Sequence, residues 1–298
     1  MLYTTAKKQV TMENIPIRHI PETLKEPNLS GSFSIRAIET LLSGKDLVQE
    51  LHRHDFYLLL ALQKGAGSHE IDFTAYDIGY HTVFLLRPGQ VHQLHIKAGS
   101  TGYLVQFKTD FLYSHNSAAQ NHLTKLIQFS LYQLKPDGFH KMEVILAEAL
   151  KEYTTKAKGY QEVLKANLSI LLIELLRQRQ DKVQSTAKGT PYAQEKLEDF
   201  LALVETNITT LKQVSQYTNL LHLSSYQLSA ITKTLLNKTP SEIITDYILL
   251  EAKRQLLATS NQVSQIAYNL GYDDASYFIR FFKKHTSFSP ETFRQNSK

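Results

Sequence analysis

The last 108 residues of this chain contain a single glycine, Gly271. Glycine is the residue that most readily adopts the left-handed backbone conformation in which helices end and tight turns form. A long segment with one such residue, and with apolar side chains recurring at steps of three and four, is expected to be helical almost throughout. The C-terminal part of the chain is therefore predicted to be all-α, and the glycine marks one particular turn.

The residues on either side of this glycine predict two short helices. Ile266, Ala267 and Leu270 recur at helical spacing immediately before it, which gives the first helix one apolar face. Asp274 follows shortly after the glycine and can accept hydrogen bonds from the first backbone N–H groups of a second helix. A helix, a tight turn and a second helix form the helix-turn-helix arrangement of many DNA-binding proteins.

The second of these helices is predicted to have a buried face and an exposed face. The buried face is expected to contain four aromatic residues, Tyr277, Phe278, Phe281 and Phe282. Ser276, Arg280 and Lys283 lie on the other side, where the planar guanidinium of an arginine can bind the edge of a guanine in the major groove. A solvated helix face that never meets DNA is the structural alternative.

A similar layout occurs about 50 residues upstream, which indicates an internal duplication. Tyr217 belongs to the apolar face of a first helix, Ser224 is suited to cap a second one, and Leu228 begins its buried face. A longer helix is predicted between the two units, with Ile244, Ile248, Ala252 and Leu256 at steps of four. Lys253 and Arg254 on this connecting helix are predicted to contact DNA phosphates.

The N-terminal part has a different pattern. Residues 33 to 110 hold short β-branched and aromatic runs separated by Gly, Pro and Asp, which predicts many short strands in a sandwich or barrel. From about 118 to 180 the spacing becomes helical, with two stripes: Met142, Leu146, Ala149 and Tyr153, then Leu164, Leu168, Leu171 and Leu175. Such stripes can form a dimer seam or cover the β domain's own core, and spacing does not choose between them.

Composition limits the function further. The absence of cysteine excludes disulfides, thiolate zinc sites and cysteine nucleophiles. Neither an apolar run long enough for a membrane span nor a secretory signal is found, so the expected location is the cytoplasm and no membrane partner is expected. The net charge is +5, but after residue 190 there are 11 basic and 10 acidic residues, so any DNA-binding surface has to be a local patch.

Residues 249–294, LLEAKRQLLATSNQVSQIAYNLGYDDASYFIRFFKKHTSFSPETFR, resemble the C-terminal DNA-binding half of AraC/XylS-family transcription regulators. The resemblance extends back to about Leu211 and implies two helix-turn-helix units that contact neighbouring major grooves. In the family, base contacts come from early exposed positions of each second helix. In this chain those positions are Tyr226, Gln227, Ser229 and Ala230 in the first unit and Ala275, Ser276 and Arg280 in the second.

The chain departs from the family pattern at a few positions. Thr232 stands where a core phenylalanine is common, and Asn237 and Ser287 stand where glycine is common. Ala230 offers no polar group for base contact, so the resemblance implies that Tyr226 and the neighbouring glutamine carry more of the recognition by the first unit.

Ten of the 12 histidines precede residue 181. Several titratable residues fall on predicted strands: His52, His54, His69, Glu70, His92 and His95. A His-x-His pair on a strand points both imidazoles to one face, as a first-row metal site requires. These segments, over roughly residues 33 to 107, resemble the cupin double-stranded β-helix found at the N-terminus of many AraC-type regulators.

Metal-binding cupins carry a glutamate ligand three or four residues after His-x-His. That place holds Leu58 or Leu59 here, and the side chain of Asp55 is expected to point away from His54. We therefore expect no metal and no cofactor. The resemblance implies instead a small-molecule effector, with a sugar-like metabolite as a reasonable candidate. The predicted effector contacts are His54, His92, Tyr57, Tyr80, Arg87 and Gln90.

The predicted fold class is α+β multidomain, with a cupin-like β-barrel, a helical dimerisation segment and an all-α domain that holds two helix-turn-helix units. The predicted boundaries are 1–110 for the effector-binding domain, 111–180 for the dimerisation segment, 181–190 for the linker and 191–298 for the DNA-binding domain. The predicted function is a homodimeric, effector-responsive transcription regulator that binds specific double-stranded DNA. The alternatives are a metal-dependent cupin enzyme with a helical accessory domain, and a helical protein-interaction module.

Overall fold

A computed structural model describes residues 15–20, 31–112, 117–186 and 190–296 of the chain. Its strands are β1 Ile17–Arg18, β2 Phe33–Ala37, β3 Leu47–His54, β4 Tyr57–Lys64, β5 Gly67–Ile71, β6 Thr74–Ile78, β7 Thr82–Leu86, β8 His92–Ile96, β9 Thr101–Phe107 and β10 Leu131–Gln133. Its helices up to residue 186 are α1 Ile38–Leu42, α2 Thr109–Leu112, α3 Ser117–Leu126, α4 Pro136–Thr155 and α5 Tyr160–Thr186. The later helices are α6 Pro191–Asn207, α7 Val214–Leu221, α8 Ser225–Leu236, α9 Pro240–Ala258, α10 Val263–Asn269, α11 Ala275–Thr286 and α12 Pro290–Asn296.

The strands form two five-stranded sheets with an apolar core between them. The first sheet has the order β1-β3-β8-β5-β6 and the second has the order β10-β7-β4-β9-β2. Leu58 and Leu60 of β4 point into this core, where they join Ile71 and Leu94 of the first sheet. The predicted N-terminal β domain and C-terminal helical domain are confirmed.

The second sheet is also covered on its outer face. Leu59 of β4 and Val105 of β9 point away from the barrel and belong to one cluster with Met142 of α4 and Leu168 of α5. The two predicted stripes therefore cover the core of the β domain, which decides between the two alternatives that their spacing left open. Because these stripes are buried within the chain, they do not supply the seam of the predicted dimerisation segment, and a dimer would have to use other surfaces.

The region predicted as the linker is partly helical. Helix α5 continues to Thr186, so the backbone of residues 181–186 is helical. Residues 187–189 lie outside the described part of the chain. Helix α6 then begins at Pro191, and the side chain of Thr190 accepts a hydrogen bond from the Ala193 backbone N–H at 3.2 Å. The domain boundary itself stays a prediction.

The C-terminal helices contain the two predicted helix-turn-helix units, α7–α8 and α10–α11, joined by α9. Ser224 and Gln227 form a capping box at the start of α8, and Asp274 accepts from the Ser276 N–H at 2.7 Å at the start of α11. Both predicted N-caps are confirmed. The predicted stripe of α9 is buried as well: Ile244, Ile248, Ala252 and Leu256 are each no more than 4% exposed.

One predicted core position on α11 is wrong. Phe278 and Phe282 are fully buried, but Tyr277 is 57% exposed. Successive helical residues point about 100° apart, so the face that buries positions 278 and 282 turns Tyr277 toward solvent. Its ring lies at the rim, 5.9 Å from the ring of Tyr272.

The two positions where the family resemblance implies glycine both lie at the C-terminal ends of helices. Asn237 ends α8 with φ 54°, and Ser287 ends α11 with φ 66°, so both helices end in the left-handed conformation. Asparagine tolerates this conformation better than most residues with a Cβ atom. Both helices therefore end in the left-handed conformation although neither position is a glycine.

Gly271 is needed both for its conformation and for its lack of a side chain. Its φ is 73°, and a Cβ atom placed on it would lie 1.9 Å from the carbonyl oxygen of Thr209. The Lys212 ammonium links the two backbone segments, because it donates to the carbonyl oxygen of Thr209 at 3.2 Å and to that of Gly271 at 2.8 Å. The turn between α10 and α11 is thereby fixed against the segment that follows α6.

We expect Gly271→Ala to destabilise the helical domain. The left-handed conformation alone costs an alanine about 1–2 kcal/mol, and the contact with Thr209 adds to this cost. Gly44→Ala is the matched control, because Gly44 has φ 79° but nothing within 4 Å of its Cβ position. Urea unfolding followed by circular dichroism measures both losses. Equal losses in the two variants would contradict the role of the Thr209 contact.

Candidate functional site

The exposed start of α8 offers one prominent side chain. Tyr226 is 83% exposed, and Ala230 is exposed beside it. Gln227 is also exposed, but its side-chain oxygen accepts hydrogen bonds from the backbone N–H of Ser224 at 2.9 Å and from the Ser224 hydroxyl at 3.0 Å. Only the amide nitrogen of Gln227 remains available to a base. Ser229 is half-buried, so the four residues predicted to contact bases in the first unit differ in how exposed their side chains are.

The exposed face of α11 is more polar. Ser276, Arg280 and Lys283 are exposed, whereas Ala275 is half-buried against the core of the domain. The Arg280 guanidinium lies 4.0 Å from the Asp274 carboxylate, and both side chains are largely exposed. Exposed ion pairs of this kind are worth about 0–1 kcal/mol, so the arginine is free to reorient toward another partner. The exposure of these side chains is as expected, and their base contacts stay a prediction.

The two predicted phosphate contacts on α9 differ in their surroundings. Arg254 is 6% exposed and donates from Nε to Oδ1 of Asp72 at 2.8 Å and from Nη2 to Oδ2 of the same carboxylate at 2.5 Å. Lys253 Nζ lies 5.9 Å from the ring centre of Phe73 and 5.8 Å from that of Phe293. In this arrangement Arg254 is occupied by Asp72 and does not reach a phosphate, whereas the phosphate contact of Lys253 stays a prediction. Helical spacing could not reveal that α9 packs on the barrel.

The Asp72 carboxylate accepts hydrogen bonds from residues of both domains. Besides Arg254, it accepts from Gln90 Nε2 at 2.6 Å and from the Val91 backbone N–H at 3.2 Å. Burial acts to raise the pKa of this carboxyl, but the hydrogen bonds and the charge of Arg254 outweigh burial, and its pKa lies below the usual value. Asp72 is therefore ionised at neutral pH and forms a charged pair with the arginine.

A second ion pair joins the two domains nearby. Arg87, which follows β7, pairs with Glu205 of α6, and both side chains are less than one-fifth exposed. Removing one partner from a buried pair leaves an uncompensated charge, so these pairs favour one domain arrangement over others. We call Asp72, Arg254, Arg87 and Glu205 the interdomain latch.

The turn that carries Asp72 has an unusual backbone. Ile71 pairs with Thr74, and the two residues between them, Asp72 and Phe73, have φ 49° and φ 67°. Two-residue hairpin turns of this kind prefer asparagine, aspartate and glycine, and a bulky aromatic residue at positive φ is rare. The Phe73 ring lies 6.3 Å from that of Phe293, so the helical domain contacts the strained residue directly. Such strain persists only where surrounding contacts hold it.

A cavity of about 190 Å³ opens within the β domain. Its walls are mainly apolar, with side chains such as Leu58, Leu60 and Ile96. The polar side chains that sequence reasoning missed in this wall are Arg18, His19, Arg36, Gln49 and Gln106. Gln106 follows the inward alternation of β9 and accepts from Arg36 Nη2 at 3.2 Å. The only sequence signal for such residues is a polar side chain at an inward position of an apolar strand.

The predicted effector contacts do not gather at this cavity. His54 lines it, and His92 contacts His54. Tyr57 points to the other face of β4, where its ring stacks on Phe107 at 5.2 Å. The remaining three are elsewhere: Tyr80 is 59% exposed, Arg87 belongs to the latch and Gln90 binds Asp72. These four residues do not line this cavity, Tyr57 because neighbouring strand residues face opposite sides of a sheet, and their effector contacts stay a prediction.

Four histidines meet beside the cavity. His52, His54, His69 and His92 are each no more than 2% exposed. His54 Nε2 lies 2.8 Å from His92 Nε2, and His69 Nε2 lies 2.9 Å from His92 Nδ1. Burial lowers the pKa of His52 to about 4 and that of His54 to about 3. These imidazoles are therefore neutral at pH 7.

The other two titratable residues of the predicted strand set face outward. Glu70 accepts from Gln93 Nε2 at 2.7 Å, and His95 lies 3.2 Å from Asp46. As expected, Asp55 also points away from His54 and lies 2.9 Å from His19. Strand alternation thus separates the histidines that converge from those that do not.

Two family models match this chain. A model described as a helix-turn-helix domain matches residues 217–296. A model described as an AraC-like ligand binding domain matches residues 44–120, which include the cavity and the histidines. The chain belongs to the AraC family of transcription regulators. It is a DNA-binding transcription regulator with an N-terminal ligand-binding domain.

Named relatives of this AraC-family chain cover most of its length. The HTH-type transcriptional activator RhaS of Mannheimia succiniciproducens is 25% identical over 248 residues, which are 82% of this chain and 88% of that protein. The RhaS protein of Citrobacter koseri is 23% identical over 256 residues, which are 82% of this chain and 87% of that protein.

Solved structures of AraC-type proteins also match this chain, with low TM-scores. Fatty acid-bound ToxT of Vibrio cholerae is 16% identical with a TM-score of 0.40, covering 88% of this chain and 95% of that one. The C-terminal domain of the response regulator yesN of Fusobacterium nucleatum is 27% identical with a TM-score of 0.32, covering 34% of this chain and 98% of that one. Within the described part of this AraC-family chain, no helix is both long enough and apolar enough to cross a membrane.

We expect Asp72→Asn to loosen the contact between the two domains. Breaking a buried ion pair costs about 3–5 kcal/mol, and separation of the domains would relieve the cost by returning Arg254 to water. Because the chain has no cysteine, spin labels can be placed on single cysteines introduced at the exposed positions of Lys64 and Lys284. Double electron–electron resonance spectroscopy of the Asp72→Asn variant should then show a longer and broader distribution of distances between the two spin labels.

The control for this variant is Asp77→Asn, which changes an exposed carboxylate in the same β5–β6 hairpin. It should leave the distance distribution as in the unchanged protein. A distribution that Asp72→Asn leaves unaltered would show that the latch does not hold the domains together.

Proposed function

We propose that an effector in the barrel cavity controls DNA binding through the interdomain latch. One observation carries this proposal: three consecutive residues connect the cavity wall to the latch. His92 contacts the cavity-lining His54, Val91 donates its N–H to Asp72, and Gln90 binds the same carboxylate. An occupant that shifts His92 would therefore act on the partner of Arg254.

The proposed mechanism requires two domain arrangements. An effector changes the balance between them only if it binds one arrangement more tightly than the other. The arrangement described above has the latch closed and Arg254 buried. In the proposed second arrangement the latch is open, which changes how the two reading helices are presented to DNA. The cost of buried charge makes the latch an all-or-none contact rather than a gradual one.

The proposed effector is a small anion with an apolar body. Arg18 and Arg36 line the cavity, and within the described residues neither forms an ion pair. Partial burial lowers the pKa of Arg18. A carboxylate would compensate these charges and its apolar part would contact the leucine walls. A neutral sugar would leave both guanidinium groups without a counter-charge, so we favour the anion over the sugar.

The proposed DNA contacts come from α8 and α11. Arg280 and Ser276 would contact base edges from α11, with Lys283 on a phosphate, and Tyr226 would lead the contacts of α8. Ala230 and Ala275 can contribute only apolar contact, for example with a thymine methyl group. The proposed partner is double-stranded DNA in the cytoplasm. We also propose a homodimer, because paired half-sites are the usual way to add specificity, but its surface lies outside the buried stripes of α4 and α5.

We expect Arg280→Ala to lower the affinity for a specific site by about 1–3 kcal/mol and to leave binding to unrelated DNA nearly unchanged. Sites are obtained by sequencing genomic fragments that the purified protein retains. Titration by fluorescence anisotropy then compares the best site with a scrambled duplex of the same composition. Arg177→Ala is the control, since Arg177 is an equally exposed arginine on α5. If Arg280→Ala lowers the affinity for both duplexes equally, Arg280 does not contact a base.

We expect carboxylates, and not neutral sugars, to raise the melting temperature of the protein. A ligand at about 100 times its Kd stabilises the native state by about 2.7 kcal/mol. A panel of aliphatic and aromatic carboxylic acids is compared with their neutral amides and with common sugars. Arg36→Gln should remove the shift, whereas Lys97→Gln, an exposed change on the same domain, should keep it. Stabilisation by a sugar alone would overturn the proposed effector class.

A further inference from the structure

We propose that His52, His54 and His92 bind one divalent transition-metal ion beside the effector cavity. One nitrogen from each of these three buried residues lies within 4.8 Å of the others. The site goes beyond the effector proposal and does not depend on it. It also goes against the expectation from the sequence, which excluded a metal because Leu58 or Leu59 stands at the place of a glutamate ligand.

The distances are close to those of an occupied site. Imidazole nitrogens bind zinc at about 2.0–2.1 Å, so two ligands in a tetrahedral site lie a little more than 3 Å apart. His54 Nε2 and His92 Nε2 are 2.8 Å apart, and His52 and His92 face each other across β3 and β8 with ring centres 4.1 Å apart. Small side-chain rotations would therefore bring the three nitrogens around one ion.

In His52 and His92, hydrogen bonds at Nδ1 leave Nε2 free to bind a metal ion. His52 Nδ1 lies 2.7 Å from the carbonyl oxygen of Glu50, so this nitrogen donates and Nε2 keeps its lone pair. His92 Nδ1 can donate to His69 Nε2 at 2.9 Å, which leaves His92 Nε2 as an acceptor. Metal-binding histidines are commonly oriented in this way by a partner on the other ring nitrogen. His69 is thus a positioning residue for His92.

A purely structural role explains the cluster less well. In the chain of contacts from His54 through His92 to His69, the outer nitrogen His69 Nδ1 is buried and has no hydrogen-bond partner among the described residues. Three neutral rings carry three N–H groups, and the two contacts between them use only two. A buried donor without an acceptor costs about 1–3 kcal/mol. Hydrogen bonding within the cluster therefore leaves at least one buried ring nitrogen, His69 Nδ1, without a partner among the described residues.

The ligand set indicates the class of metal. Three neutral imidazoles suit Zn²⁺, Fe²⁺, Co²⁺ or Ni²⁺, and a three-histidine set leaves at least one coordination position open. His52 and His54 line the cavity, so the open position faces the space proposed for the effector. Neutral ligands leave the full charge of the ion, and Arg18 adds a cation nearby. If the anionic effector proposed above is correct, its carboxylate is the natural fourth ligand.

Cobalt binding to the full chain tests the site. The protein is purified without a histidine tag, stripped with chelator and titrated with Co²⁺ while the visible d–d absorption is recorded. We expect one equivalent to bind, to raise the melting temperature and to be displaced by Zn²⁺. His52→Gln and His92→Gln should abolish the absorption, and His69→Gln should weaken binding by about 10–100-fold. His95→Gln is the control, because His95 lies on the same strand as His92 but points outward.

The results separate this site from the effector proposal. Absence of stoichiometric Co²⁺ binding, or binding that His52→Gln and His92→Gln leave intact, would overturn the metal site. If these variants do not fold, X-ray absorption of the Zn²⁺-loaded unchanged protein decides, since scattering from fewer than three imidazoles contradicts the proposal. Carboxylates that stabilise the stripped protein equally well would support the effector site and exclude the metal as its ligand.

Discussion

The second sheet of the β domain is buried on both faces, and the rest of the molecule is arranged around it. Along β4, Leu58 and Leu60 fill the barrel while Leu59 and Ala61 contact the helices. A strand with two buried faces tolerates almost no polar side chain, because each would need a partner away from water. The buried histidines lie on the opposite sheet, and the latch residues lie at strand ends, whereas Arg36 and Gln106 of the second sheet bind each other beside the cavity.

The latch concentrates charge at the boundary between the two domains. Burying an ion pair gives little net stability, because the charges lose their hydration, but it strongly disfavours any arrangement in which one partner is left alone. The Asp72–Arg254 pair uses both oxygens of the carboxylate, which fixes orientation as well as distance. The strained Phe73 beside it is held by contacts from the helical domain. Domain arrangement and local strain are thus tied to the same few contacts.

The helical domain was largely predictable because its contacts are local. Caps such as Ser224 and Asp274 and the spacing of the α9 stripe all depend on residues within a few positions of one another. The errors arose where a distant element decides the outcome. Arg254 has the sequence context of a phosphate contact, yet its partner is 182 positions away. Tyr57 lies away from the cavity for a related reason, since a shift of one residue along a strand exchanges the two faces of a sheet.

The sequence by itself determined most of the elements, their order and the two helix-turn-helix units, because periodicity and capping act over one or two turns. It also placed His-x-His on a strand, which brings two imidazoles to one face. Only the tertiary structure decided that four histidines meet, that the stripes of α4 and α5 cover the sheet and that Asp72 pairs with Arg254. These contacts join strands and helices far apart in the chain, and the pairing of distant surfaces leaves no local pattern in the residues that form it.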